Sequence, residues 1–148
     1  MQRSLFVLLL VEDNPAEVDL LKEALKRSPV PVQLCPVSDG TEALAFLYHA
    51  DRYNAAPCPD LIVLDLNCGN LPELNGQAVL ARLKTDVTLK QIPVVVLTSS
   101  TKPEDVAQSY ALGANAYVQK PMELAEFFVL VDELIEFWCQ RDPALSSV

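Results

Sequence analysis

The chain has 148 residues, 51% of them apolar, with 11 prolines and only 4 glycines. That length and composition suit one well-packed domain and leave no room for two ordinary ones. Twenty acidic against 11 basic residues give a formal net charge of -9, so the average field repels nucleic acid and anionic lipid surfaces alike.

The elements follow in chain order. The apolar run Leu5 to Val11 is too short to cross a membrane, has no small-residue cleavage site, and runs directly into Glu12-Asp13. It is therefore expected to be a strand and not a signal peptide. Asn14 can cap a helix that has Pro15 in its first position, with Val18, Leu21 and Leu25 on one stripe. A second strand is expected over Val32 to Val37 and a helix over Thr41 to Tyr48, and a polar, Pro-containing connection runs from Ala50 to Asp60. Leu61 to Leu66 forms the third strand, Gln77 to Lys84 the third helix and Ile92 to Leu97 the fourth strand. Thr101 and Glu104 have the spacing of a capping box, Pro103 lies near the helix start, and Gly113 can close that helix. A fifth strand, Ala116 to Gln119, precedes the longest helix, Met122 to Cys139.

Apolar runs without polar alternation suit strands covered on both faces, and right-handed crossovers make consecutive strands parallel. The expected fold is therefore α/β, a doubly wound five-stranded parallel sheet of order 2-1-3-4-5, with residues 1–148 as one domain and a core of about 5–140. With few residues after the last helix, no output domain is expected. Cysteines 35, 58, 68 and 139 contain no C-x-x-C pair, and the single His49 completes no zinc set with them. The thiols are expected to be reduced and the protein cytoplasmic.

In such a sheet strands one and three are neighbours and their carboxyl ends line the ligand crevice. Glu12, Asp13 and Asp65 then converge. Like charges this close resist ionising together unless a cation sits among them, and Mg²⁺ suits a few hard oxygen ligands. Taken alone, Glu12 and Asp13 are explained as well by the favourable charge they bring to a helix N-terminus. Asp65, ending the run Leu61-Ile62-Val63-Leu64, has no capping task. Thr98 and Lys120 close the fourth and fifth strands. A helix cap and a surface cation are the plain alternatives for these two, and a phosphoryl contact is the functional one.

These residues stand in five motifs: V-E-D-N at 11–14, L-D-L-N at 64–67, L-P-E-L-N-G at 71–76, L-T-S at 97–99 and A-Y-V-Q-K-P at 116–121. With them the chain resembles the receiver domains of two-component response regulators over roughly residues 5–140. The long Ala50 to Asp60 connection, the segment Leu89 to Thr98 and the aromatic end of the last helix look most like the small stand-alone regulators paired with bacterial and cyanobacterial phytochromes. The resemblance implies that Asp65 accepts a phosphoryl group from a histidine of a sensor kinase, of phytochrome type. It implies that Asp13 and Asp65 bind Mg²⁺ directly, Glu12 mostly through water and Asn67 through its carbonyl. Thr98 and Lys120 would then contact the phosphoryl group. Tyr117 occupies the place of an aromatic switch, with the small Ser99 leaving room for its motion, and Lys120-Pro121 is expected to be cis.

Cys68-Gly69-Asn70 looks like an insertion directly after Asn67, so an irregular loop is expected beside the metal. On the last helix Leu124, Phe127, Phe128, Val131, Leu134, Ile135 and Trp138 are expected to face the core. Leu130 and Phe137 fall on its flank and, with Tyr110, outline a contact patch, from which a homodimer through helix four, strand five and helix five is expected.

A receiver-shaped adaptor that binds without phosphorylation is the alternative function. An Asp-nucleophile phosphatase would want an acid two positions after Asp65, where Asn67 stands. The turn Glu12-Asp13-Asn14-Pro15 lacks the glycine that a nucleotide phosphate needs.

Overall fold

A computed structural model describes residues 5–68 and 75–140. The strands are β1 (Phe6–Val11), β2 (Val32–Val37), β3 (Leu61–Leu64), β4 (Val94–Thr98) and β5 (Ala116–Gln119). The helices are α1 (Pro15–Leu25), α2 (Gly40–Leu47), α3 (Gly76–Thr85), α4 (Pro103–Ala111) and α5 (Leu124–Gln140). The five strands are parallel in the order β2-β1-β3-β4-β5, the expected doubly wound sheet.

The central strands β1, β3 and β4 are buried along their whole length, which is why their sequences carry no polar alternation. The edge strands β2 and β5 are only partly covered. Burial splits by face. Leu9, Ile62 and Val94 pack with Phe46 of α2 and Leu80 and Leu83 of α3, while Leu8, Val63 and Val95 pack with Leu21 of α1 and Phe127, Val131 and Ile135 of α5.

Local chemistry fixes the ends of the elements. Asn14 Oδ1 accepts the Ala16 N–H, and Pro15 opens α1 as expected. Asp39 caps α2 by accepting the Glu42 N–H, a cap the sequence analysis did not assign. Gly113 has φ 108°, and its N–H bonds to Tyr110 O, so it closes α4 in the left-handed conformation. Gly76 is needed for a different reason. A Cβ there would lie 2.5 Å from Asp65 O and 2.5 Å from Leu66 Cα, so only glycine lets α3 start against the loop that carries Asp65.

Several expectations are corrected. β4 begins at Val94 because Leu89–Gln91 forms a 3-10 turn and Pro93 follows it. β3 ends at Leu64, one residue short of the acid. Thr101 makes no capping box: the N-cap of α4 is Lys102, without a side-chain bond. Ser100 takes over locally, its Oγ donating to Asp105 Oδ2 at 2.6 Å and accepting the Lys102 N–H. α5 starts at Leu124, leaving Met122 fully exposed, and Leu124 itself is 55% exposed and does not face the core. Its first turn is exposed, and packing begins at Phe127. The cysteines are free thiols, and no described helix is long and apolar enough to cross a membrane.

Candidate metal and phosphoryl centre

Strand pairing continues just past the strand ends and so delivers the acids to one place. Glu12 N–H bonds to Val37 O at 3.0 Å, Asp65 N–H to Val11 O at 3.1 Å and Lys120 N–H to Thr98 O at 2.8 Å. Residues far apart in sequence thereby meet at the carboxyl edge of β1, β3, β4 and β5.

Glu12, Asp13 and Asp65 each offer a carboxylate oxygen, and these atoms all lie within 4.8 Å of one another. Glu12 and Asp65 are buried and Asp13 is open to solvent. Burial, and then the Asp65 charge, push the Glu12 carboxyl above its ordinary value even though Lys120 pulls the other way. Hard oxygen donors, partial burial, an open side and surplus negative charge fit a divalent cation that keeps part of its hydration. The neighbouring thiol of Cys68 is fully buried and pushed up to about 12 by burial and by Asp65, Asp13 and Glu12. The donors close enough together to share an ion are Glu12, Asp13 and Asp65.

Lys120 Nζ donates to Glu12 Oε1 at 3.0 Å and to Glu17 Oε1 at 3.1 Å, and stands 3.8 Å from Asp65 Oδ2. Burial opposes its charge, but Asp65, Glu12 and Glu17 outweigh that, and the ammonium is held above its usual range. Lys120 is therefore no surface cation. Glu12 also serves the helix start, since its Oε2 accepts the Asn14 N–H at the beginning of α1.

Thr98 is fully buried, and its Oγ1 accepts the Ser100 N–H at 3.3 Å, so it caps no helix. Asn67 is exposed in the turn after β3 and donates its N–H to Asp65 Oδ1 at 3.2 Å. Ser99 is exposed beside Thr98. Tyr117 is half-buried against the core, its hydroxyl donating to Ser100 O at 3.1 Å and its N–H donating to the Tyr110 hydroxyl at 3.0 Å.

The Lys120–Pro121 bond is trans, like every described peptide bond, which corrects the expectation of a cis bond. Trans is the lower-energy form of X-Pro, and Lys120 reaches the acids from it because its backbone is pinned to Thr98. The expected irregular loop at Cys68-Gly69-Asn70 falls at Gly69 and Asn70, outside the described residues. Glu17 was not singled out from the sequence. It lies one helical turn beyond Asp13, a spacing that could have suggested it.

On the far edge, Tyr110 is 50% and Phe137 47% exposed. Leu130 is partly buried against the core, so it does not stand free as expected. It lines a shallow groove of about 590 Å³ with Val118, Leu134, Phe137 and Trp138.

The response regulator receiver domain family matches residues 8–132. The chain is 43% identical to response regulator Rcp1 of Synechocystis sp. (strain ATCC 27184 / PCC 6803 / Kazusa) over 134 residues, which are 90% of this chain and 89% of that protein. The crystal structure of the phosphorylated cyanobacterial phytochrome response regulator RcpA superposes with TM-score 0.83 at 45% identity, covering 92% of this chain and 95% of that one. The Mn²⁺-bound form of Rcp1 gives 0.80 at 44% identity, covering 89% and 93%. With the acids, the hydroxyl and the lysine gathered at the carboxyl edge of a 2-1-3-4-5 sheet, this chain belongs to the response regulator receiver domains of two-component signalling and is related to the cyanobacterial phytochrome regulators.

Proposed function

We propose that the protein is a signalling phosphoacceptor: Asp65 takes a phosphoryl group from a phosphohistidine of a sensor kinase, and the α4-β5-α5 surface changes in response. The observation that carries this reading is the placement of Asp65. Its carboxylate is nearly buried, bonded to the Asn67 N–H, 3.8 Å from the Lys120 ammonium and within reach of the Glu12 and Asp13 carboxylates.

In the transfer, an oxygen of the Asp65 carboxylate forms the new P–O bond as the donor's P–N bond breaks, and the freed imidazole nitrogen takes up a proton. Asp13, Asp65 and the Asn67 carbonyl, with Glu12 mostly through water, would hold a divalent ion, Mg²⁺ in this reading, and it would supply positive charge to the phosphoryl oxygens. Lys120 supplies a second positive charge to the same oxygens. The Thr98 hydroxyl, which at rest accepts the Ser100 N–H, turns to donate to the phosphoryl group. Ser100 also accepts the Tyr117 hydroxyl at its carbonyl and binds Asp105 of α4, so a change at Thr98 reaches Tyr117 and α4 through one residue. Ser99, small and exposed, does not obstruct that motion.

The kinship with cyanobacterial phytochrome regulators favours a kinase of phytochrome type. The apolar groove beside Phe137, with exposed Tyr110 across β5, favours a homodimer through α4, β5 and α5. The net charge of -9 argues against nucleic acid as a partner.

The decisive experiment incubates the protein with acetyl phosphate and Mg²⁺ and compares intact masses of wild type and Asp65→Asn. One added phosphoryl group on wild type and none on the variant is expected. An unmodified wild type would leave the chain as an adaptor that binds without phosphorylation. Sedimentation showing a monomer at high concentration, with and without phosphodonor, would remove the dimer.

A further inference from the structure

Glu17 takes no part in the acid cluster that suits a cation, yet it faces the same ammonium. It is the third residue of α1, the place from which a glutamate ordinarily reaches back to the N-cap N–H. Here that N–H, of Asn14, is taken by Glu12 Oε2. Glu17 is turned instead to Lys120 Nζ, at 3.1 Å, with its side chain 32% exposed against 4% for Glu12. Lys120 therefore has two short partners, Glu12 and Glu17, while Asp65 waits at 3.8 Å. The two differ in what holds them. Glu12 is fixed by its backbone N–H on Val37 O and by the Asn14 N–H on its carboxylate. Among the hydrogen bonds described for the Glu17 carboxylate, Lys120 is the partner.

We propose that Glu17 is a positioning residue that holds the Lys120 ammonium back from Asp65 in the unphosphorylated protein and so sets how readily Lys120 meets an incoming phosphoryl group. The proposal rests on Asp65 being the phosphoacceptor. Glu17 is at once a competing anion for Lys120 and, partly exposed and 3.1 Å from that ammonium, a further negative charge near the acids that an anionic phosphodonor approaches. Both effects slow acceptance. Both weaken in salt, because Glu17 is partly solvated.

The test uses Glu17→Gln in the full chain, with Glu23→Gln as the control. Glu23 lies on the same helix and pairs with Lys26 at the surface, so it removes the same charge away from Lys120. Phosphorylation by acetyl phosphate in Mg²⁺ should be about threefold to tenfold faster in Glu17→Gln than in wild type at low ionic strength, with a smaller gain at high salt. The Mg²⁺ concentration for half-maximal rate should be unchanged, as Glu17 lies outside the metal cluster. The ¹⁵N signal of the Lys120 ammonium should move in Glu17→Gln and stay in place in Glu23→Gln. A wild-type rate in Glu17→Gln, or equal acceleration by Glu23→Gln, overturns the proposal. If wild type accepts no phosphoryl group, the phosphoacceptor reading fails, and the Lys120 signal alone then decides whether Glu17 holds the ammonium: an unmoved signal overturns it.

Discussion

Two lysines sit at opposite ends of the same sheet, and their surroundings separate structure from function. At the amino end Lys84 Nζ donates to Lys90 O, Ile92 O and Asn115 Oδ1, at 3.2, 3.0 and 2.9 Å. Asn115 in turn accepts the Val94 N–H. All are neutral acceptors, and burial holds the Lys84 ammonium below its usual value. At the carboxyl end Lys120 is ringed by carboxylates and held above its usual value despite burial. One end is closed, each donor matched with a backbone or amide oxygen. The other gathers Glu12, Asp13, Asp65 and Glu17 about Lys120, more negative charge than that ammonium can offset, which is a poor way to stabilise a fold and a good way to bind a cation.

The sharpest way to break this contrast is to remove each lysine. Lys120→Met should slow phosphorylation by about a hundredfold or more, the usual cost of deleting a preorganised positive partner of a reacting group. Lys84→Met should leave that rate within about twofold while lowering stability by about 1 kcal/mol, because Lys90 O, Ile92 O and Asn115 Oδ1 lose their shared donor. Phosphoryl incorporation and urea unfolding measure the two effects, and equal loss of activity in both variants would erase the distinction.

Gly76→Ala joins stability to the site. Its Cβ has no space against the Asp65 carbonyl, so a loss of about 2 kcal/mol or more is expected, together with slower phosphorylation from a displaced acceptor loop. Chemical unfolding of the variant that overlays wild type would show that the loop yields freely.

Charge excess makes a prediction of opposite sign. Asp65→Asn should raise the stability of the metal-free protein by about 1 kcal/mol, since it removes one of several crowded negative charges. Wild type should melt higher with added Mg²⁺ by mass action, and the same substitution should abolish that rise. A destabilised Asp65→Asn would mean that Lys120 already balances the cluster.

The smallest effect is in pH. The Glu12 carboxyl is raised above 4.5 in the folded chain, so the folded state binds this proton more tightly than the unfolded one. Its contribution to stability is fully present below 4.5 and is lost as pH rises through the raised value. Metal-free wild type should show this slope in thermal melts on the acid side of neutrality, and Glu12→Gln should flatten it. An identical slope in the variant would place the titration elsewhere.

The motifs marked where chemistry would occur but not how each residue serves it. N-G at 75–76 was legible as a motif, while the reason for Gly76, the approach of α3 to the Asp65 backbone, exists only once the helix is packed. Asn14 and Gly113 were legible because a cap is local. Thr101 was misread because its spacing to Glu104 is equally local, and the chain resolved it with Ser100 and Asp105. Leu124 and Leu130 show the limit of helical periodicity: it gives the angle around α5, not where along the axis the helix meets the sheet.

By itself the sequence determined the order of strands and helices, the doubly wound sheet and the candidacy of Glu12, Asp13, Asp65, Thr98 and Lys120. Those follow from apolar patterning, crossover handedness and motifs read along the chain. Only the tertiary structure decided which carboxylates share Lys120. An ion pair across more than a hundred residues depends on strand register and helix placement, and on a difference of less than one ångström between the partners that hold the ammonium and the one that waits for it.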